Sequence, residues 1–341
     1  MKKSVKDSPV IIFILLMIVF SCKKNDDSFH DYAPGLAGTW RYVKGTDPEK
    51  YLVINQDRTC SILSSDAQGI RDKSDAIVLV TGNQLMIDNS DPNVYPNINI
   101  YNYEVKGDTL KLESPEKSIF LVKNKNSNPS AAWIKNTVAE LRYKAPVSEP
   151  TDIAFDGSLI WYGNGYNSHY LYNLNPLNGK SDSLLVEQYA WSVEADSVDL
   201  WVSNDGADNV TLIRKSDGST ITASAAMGAW IYGIARDNDY LWCYSNNEGA
   251  LYKYSIKDNS VLLSTKVSGN WDGLAMADNF LYVAANGKLH KCSTEPLSCI
   301  DSYELKGYHI FGVAFDGSSI WVSAYLLPDK WPEIIKLSGV D

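Results

Sequence analysis

Histidine, cysteine and clustered basic residues are what this chain lacks. It has four His and five Cys. There is no CxxC pair and no His/Cys cluster, so neither a metal site nor a cofactor is expected. No P-loop, GxSxG or HExxH stretch occurs, which removes the commonest sequence signs of phosphate binding, serine hydrolysis and zinc proteolysis. Lys and Arg number 31 against 41 Asp and Glu, a net charge of −10, with no long block of one sign. Nucleic acid demands concentrated Lys and Arg, so no nucleic-acid partner is expected. The one long apolar run, Pro9 to Phe20 (PVIIFILLMIVF), is too short for a comfortable membrane span.

What the chain has in quantity is aromatic rings, with ten Trp and 21 Tyr among 341 residues. Hydrophobic content of 45% and charged content of 21% are ordinary for a globular protein. The length allows two domains with ample core.

One phrase occurs five times: DIAFDGSLIWYG from Asp152, SVEADSVDLWVS from Ser192, GIARDNDYLWCY from Gly233, GLAMADNFLYVA from Gly273 and GVAFDGSSIWVS from Gly312. Its late aromatic falls at Trp161, Trp201, Trp242, Tyr282 and Trp321, in steps of 40, 41, 40 and 39 residues. A period of about 40 residues marks a repeat architecture. Each unit divides into four short strands, and the first two are joined by Asp156-Gly157, Asp196-Ser197, Asp237-Asn238, Asp278-Asn279 or Asp316-Gly317. Asp followed by Gly or Asn suits a tight hairpin that needs φ > 0. These aspartates are therefore structural, and the in-phase Trp residues are core between neighbouring sheets. The units resemble the blades of the YVTN, NHL and virginiamycin-lyase-like bacterial propellers over residues 138–341, best at Phe155-Asp156-Gly157 and Phe315-Asp316-Gly317. The resemblance implies an all-β, five-bladed β-propeller. The fifth unit lacks a fourth strand, and Ala139–Lys144 stands unmatched before the first unit. That strand is expected to close the ring by pairing in the last blade, which removes exposed sheet edges.

Upstream of the repeat, residues 36–125 carry short strand-like runs separated by turn signals and no 40-residue echo. Many short antiparallel strands in so few residues mean a small barrel or sandwich. Gly38-Thr39-Trp40 near the start and Gly107–Leu112 (GDTLKL) near the end resemble the lipocalin-like domains of bacterial lipoproteins. Trp40 is expected to be core there. Such a domain would act as a spacer or as a second binder. Residues 126–137 read as linker.

Residues 1–22 form a targeting segment. Val19-Phe20-Ser21-Cys22 resembles the bacterial lipobox, which implies that Cys22 is the lipidated N-terminus of the mature protein. The tether, 23–35, opens Lys23-Lys24-Asn25-Asp26-Asp27 and resembles an export signal to the outer face of the outer membrane. The implied location is a lipid-anchored protein at the cell surface, with a periplasm-facing position as the alternative. An oxidising location permits a disulfide between Cys292 and Cys299, which flank the turn STEPLS. Cys60 and Cys243 read as small core residues.

In a blade the first strand lines the axis. The links between blades and the second-to-third loops share one face, and the polar and aromatic residues concentrate there. The candidate ligand-binding residues are Tyr166, His169, Tyr189, Trp191, Trp230, Tyr232, Trp271, Asp272, His309, Phe311 and Trp331. Flat rings stack on the apolar face of a sugar ring or a nucleobase, and Asn and Asp hydrogen-bond hydroxyls. The expectation is non-catalytic binding of a glycan or peptide. One alternative is a carbohydrate-active or lyase-type enzyme using the axial carboxylates Asp152, Glu194 and Asp272, which would also be the candidates for a structural cation. The lyase-type His and Glu constellation has no match here, and no catalytic residue is assigned. The other alternative is a scaffold that docks an envelope protein.

Overall fold

The structure is a computed structural model that describes residues 35–43, 49–89, 97–124, 134–165, 168–204, 206–327 and 331–340. The targeting segment, most of the tether, Cys22 and Tyr166 lie outside the described residues. The described chain is all-β, and none of its elements is a helix long and apolar enough to cross a membrane.

Eight strands come first: β1 Gly38–Tyr42, β2 Glu49–Ile54, β3 Thr59–Ser65, β4 Arg71–Thr81, β5 Gln84–Asp88, β6 Ile98–Lys106, β7 Thr109–Glu113 and β8 Ser118–Lys123. Each pairs antiparallel with the next, and β1 returns to β8 through Trp40↔Lys123 and Tyr42↔Leu121, so the sheet closes into a barrel. Alternation explains the closure. Leu110 and Leu112 on β7 point in, while Thr109 and Lys111 point out. Side chains fill the interior, among them Leu52, Val78, Leu85 and Leu121, all fully buried. Trp40 is fully buried with them, and its indole Nε1 donates to the Leu36 carbonyl at 2.8 Å.

Next come β9 Lys135–Lys144 and then β10 Ile153–Phe155, β11 Ile160–Tyr162, β12 Tyr170–Leu174 and β13 Ser181–Leu185, which form a first four-stranded sheet. A second comprises β14 Ala190–Ala195, β15 Asp199–Asn204, β16 Val210–Arg214 and β17 Thr220–Ala223. A third comprises β18 Ile231–Asp237, β19 Tyr240–Ser245, β20 Ala250–Ser255 and β21 Ser260–Lys266. The fourth holds β22 Trp271–Ala277, β23 Phe280–Ala285, β24 Lys288–Thr294 and β25 Leu297–Leu305. The fifth holds β26 Tyr308–Phe315, β27 Ile320–Leu326 and β28 Trp331–Ser338, and its outermost strand is β9, antiparallel to β28 from Glu333↔Lys144 to Ser338↔Val138. The first strands β10, β14, β18, β22 and β26 touch in a ring, with β10 against β26. The arrangement is propeller-like.

Closure by the unmatched strand extends further than the repeat pattern indicates. β9 begins at Lys135, inside the stretch expected to be linker. Its first residues run parallel to β25, with Tyr303↔Lys135 and Leu305↔Thr137. One strand thus stitches the fourth sheet to the fifth.

The repeated phrase has a physical explanation. Asp156 Oδ1 accepts the N–H groups of Ser158 and Leu159, both at 2.8 Å, which holds the turn. Its Oδ2 accepts the indole N–H of Trp161 at 2.7 Å. Asp316 repeats the pattern with Ser318, Ser319 and Trp321. The carboxylate therefore fixes both the hairpin and the buried Trp five residues on. Gly157, Asn238, Asn279 and Gly317 all have positive φ, as tight turns there require. Trp161, Trp201, Trp242 and Trp321 are no more than 5% exposed.

At the axis the strands approach closely enough to demand glycine. A Cβ on Gly273 would stand 2.5 Å from Asp152 Oδ1 and 2.7 Å from the Gly312 Cα. One on Gly312 would meet the Thr151 carbonyl oxygen at 2.6 Å and the Asp152 Cα at 2.7 Å.

The barrel is fastened to the fourth sheet by its β3–β4 turn. The Gln68 carbonyl accepts the Cys299 N–H at 2.6 Å. Its Oε1 accepts both the N–H and hydroxyl of Ser268, at 3.0 and 2.6 Å. Ile70 is buried in one cluster with Trp271, Leu274 and Cys299. Asp72 pairs with Lys288 at 2.8 Å. Cys299 is joined to Cys292 by a disulfide across the β24–β25 hairpin, whereas Cys60 and Cys243 are free and buried.

Gly273→Ala should lower stability by about 3 kcal/mol or more, because the clash is with backbone and cannot be relieved by a rotamer change. Urea unfolding of the variant checks this, and an unchanged midpoint would mean that the axis is looser than described.

Candidate functional site

The axial floor is one carboxylate deep. Asp152 is fully buried. Its Oδ2 accepts the Ser192 hydroxyl at 2.6 Å and the Ile234 N–H at 3.2 Å, and its Oδ1 accepts the Ile153 N–H at 3.0 Å. Ser192 belongs to the second sheet and Ile234 to the third, so one side chain ties three sheets. Burial raises its pKa well above the usual carboxylate range, partly opposed by these donors. Glu194 is likewise engaged, accepting the Ala195 and Arg236 N–H groups at 2.7 and 2.9 Å. Burial pushes its pKa up to about 7. Of the three axial carboxylates, these two are occupied in holding backbone.

Above that floor, four sheets repeat one irregularity. In the third sheet Ile231 faces Ser245 and Gly233 faces Tyr244, so Tyr232 is an extra residue. In the fourth, Trp271 faces Ala285 and Gly273 faces Ala284, leaving Asp272 extra. In the fifth, Ile310 faces Ala324 and Gly312 faces Ser323, leaving Phe311 extra. In the second, Ala190 faces Asn204 and Val193 faces Val202, so Trp191 and Ser192 share the place of one residue. A β-bulge re-aims a side chain and is common beside binding sites. Here it brings Trp191, Tyr232, Asp272 and Phe311 to one position in successive sheets, immediately before the repeated phrase. All four are half-buried. Thr151, buried, occupies the same position in the first sheet.

Rings fill this layer. Trp191 stacks on Tyr232 with centroids 4.6 Å apart and planes 21° from parallel. Phe311 meets Tyr325 edge-on at 4.9 Å and His309 at 4.6 Å. A cavity of about 470 Å³ opens beside Phe311, lined by Ser148, Glu149, His309, Phe311, Tyr325 and Leu327. Glu149 reaches from this cavity toward Trp191, since a Cβ on Gly165 would lie 3.0 Å from Glu149 Oε2 and 3.5 Å from a Trp191 ring carbon. Burial raises the Tyr325 hydroxyl pKa, and the Glu149 charge adds to the shift. Burial, then Lys288, lowers the His309 pKa.

Asp272 differs from the other axial acids. Its pKa is pushed up to about 7, and burial is the cause, with no opposing donor. A carboxylate held this way costs stability at neutral pH, which is characteristic of functional positions.

Not every expected residue joins this mouth. Trp230, 37% exposed, and Tyr189, 42% exposed, stand on the rim; the latter packs against His169 at 4.0 Å. His169 Nδ1 lies 3.0 Å from the Glu187 carbonyl oxygen. Trp331 is on the third strand of its sheet, away from the axis, under the Lys144 ammonium at 4.2 Å. Trp271 is a correction: it is fully buried, stacked on Tyr244 at 5.6 Å, and belongs to the core between sheets. It lies two residues before its phrase, in the position of Ile231 and Ile310, whereas Trp191 lies one before. Counting back from the phrase separates the two. Ser148, Glu149 and Tyr325 were not singled out in the sequence. Their only signal is position, in the link before Asp152 and at the end of a second strand. No group of three or more His, Cys, Asp or Glu suited to a metal occurs among the described residues.

No protein-family model matches the chain, and no curated protein does. Among solved structures it is similar to glutaminyl cyclase of Myxococcus xanthus, with 11% identity and a TM-score of 0.49 over 60% of this chain and 97% of that one. It is also similar to a calcium-binding regucalcin of Agrobacterium tumefaciens, at 12% identity and 0.44 over the same shares. Hydrazine synthase of Kuenenia stuttgartiensis gives 14% and 0.38 over 53% of this chain and 57% of that one. These neighbours are propeller-like folds.

Asp272→Asn should stabilise the protein in a pH-dependent way. With a folded pKa near 7 against an ordinary 3.8, the folded state retains a proton that the unfolded chain releases. Wild-type stability therefore falls as pH rises from about 4 to 7. The variant should gain about 1–3 kcal/mol over wild type at pH 8 and much less at pH 4. Paired urea unfolding curves at the two pH values read the difference.

Proposed function

We propose that this protein is a ligand-binding lipoprotein of the cell envelope: a lipocalin-like barrel and a five-bladed β-propeller, tethered through Cys22, with a glycan or peptide held at the axial mouth of the propeller. The observation that carries the binding role is the recurring bulge. Four sheets break strand register at the same point, which puts Trp191, Tyr232, Asp272 and Phe311 at corresponding positions on first strands that touch in a ring. Stacked rings offer flat apolar surface, Asp272 and Glu149 offer acceptors, and the adjoining cavity of about 470 Å³ is of ligand size. The barrel, its interior filled by its own side chains, serves as a spacer that carries the propeller above the membrane. Location at the outer face of the outer membrane rests on the lipobox and the tether of the sequence, and a periplasm-facing position is the alternative.

A second reading, catalysis on a carbohydrate or by a lyase-type reaction, is favoured by one observation. Asp272 has its pKa moved to about 7, where a carboxyl group can exchange protons at neutral pH.

Trp191→Ala should weaken binding of any oligosaccharide or peptide retained on an array by about 10-fold or more, as removal of a stacked interface ring does. Unchanged affinity across all retained ligands would remove the axial mouth as the site. Turnover of a polysaccharide that disappears in Asp272→Asn would replace binding with catalysis. Labelling by a fatty-acid analogue should be lost in Cys22→Ser.

A further inference from the structure

We propose that the axial mouth recognises a primary ammonium group, seated among Trp191, Tyr232 and Phe311 against the carboxylate of Asp272. This deepens the binding role above and rests on it.

The chemistry follows from what surrounds the position. Three of the five residues in the ring are aromatic and one is acidic; the fifth, Thr151, is small and buried. The faces of aromatic rings carry negative potential and attract cations, more strongly where water is excluded. The ring carries no Lys or Arg. The basic group that acts on the neighbouring His309 is Lys288, which is paired with Asp72 at 2.8 Å and faces the barrel. Glu149 is an acidic member of the cavity lining that Phe311 shares. A neutral sugar or an amide would satisfy the rings but leave Asp272 without a partner. An anion would meet Asp272 as a like charge. An ammonium satisfies both kinds of wall, donating N–H to the carboxylate while its charge lies against the rings.

Burial without an opposing donor has the same meaning. Asp152 and Glu194 each accept N–H groups of the protein, and no donor offsets the burial of Asp272. A bound cation supplies the missing partner. Asp152 packs tightly against Gly273 and Gly312 at the axis, so the ammonium enters from the other side, and the rest of the ligand lies along Phe311 and Tyr325, which line the neighbouring cavity. A primary amine fits this description whether it comes from an amino sugar or from a peptide, and the two sources are separable by experiment.

The test is calorimetry on the full-length protein in detergent micelles with matched pairs: a glucosamine trisaccharide and its N-acetylated form, and a tripeptide amide with a free and an acetylated N-terminus. At least one free amine should bind about 10-fold or more tightly than its acetylated partner, and the pair that discriminates names the source. In Asp272→Asn, which removes the charge and keeps the shape, the preference should shrink to about 3-fold or less. Urea unfolding of that variant verifies that it is folded. If acetylated members bind as well as free amines, and Trp191→Ala abolishes both, the mouth is a binding site and the ammonium assignment is wrong. If a preference for amines survives in Asp272→Asn, the assignment is also wrong. If no probe binds, or Trp191→Ala changes nothing, both the ammonium assignment and the axial site fail.

Discussion

Everything in the ring of five sheets depends on how closely five first strands can approach one axis. The Cβ-free positions at Gly233, Gly273 and Gly312 let three of them come within backbone contact. The space that remains is filled by the Asp152 carboxylate, which takes hydrogen bonds from the first, second and third sheets. A buried carboxylate is costly unless its oxygens are satisfied, and here each oxygen has a donor. The floor is thus both the keystone of the ring and the bottom of the mouth above it.

Function in this architecture lives in departures from regularity. The repeated phrase is regular because it serves packing: an Asp that holds a turn, a Trp that fills the gap between sheets, and small residues at the axis. The residue immediately before it is freed from the ladder by a bulge in four of the five sheets. It is therefore free to differ among copies, and it does: Thr151, Trp191, Tyr232, Asp272 and Phe311. A fold that repeats five times can in this way carry a different side chain at the same position of four copies without disturbing the scaffold. The same separation accounts for the three acidic groups near the axis. Two hold backbone, whereas the burial of Asp272 is offset by no donor.

The barrel is not a freely hanging appendage. The turn at Asp66–Ile70 inserts Ile70 into the same cluster that buries Trp271 and the Cys292–Cys299 hairpin. Gln68 adds three hydrogen bonds across the boundary. This junction lies on the sheet that also carries Asp272.

How much of this was legible in the chain itself follows from what each feature depends on. Local chemistry was readable. Asp-Gly and Asp-Asn turns, in-phase Trp residues, a missing last strand and an unmatched early one all declare themselves through spacing. Strand alternation and turn geometry act over a few residues, so they are written in the sequence. The aromatic residues of the links were visible for the same reason. Tertiary structure alone decided which of them share a mouth. A bulge shifts register by one residue and sends Trp271 into the core while its neighbour Asp272 turns toward the axis, although both sit in one link. Glu149 and Tyr325 come from segments far apart in the chain and become neighbours only when β9 closes the ring against β28. Burial without an opposing donor, which sets Asp272 apart from Asp152 and Glu194, is a property of the assembled axis. It depends on which N–H groups from other sheets arrive within hydrogen-bond reach, and no single segment of the sequence contains that information.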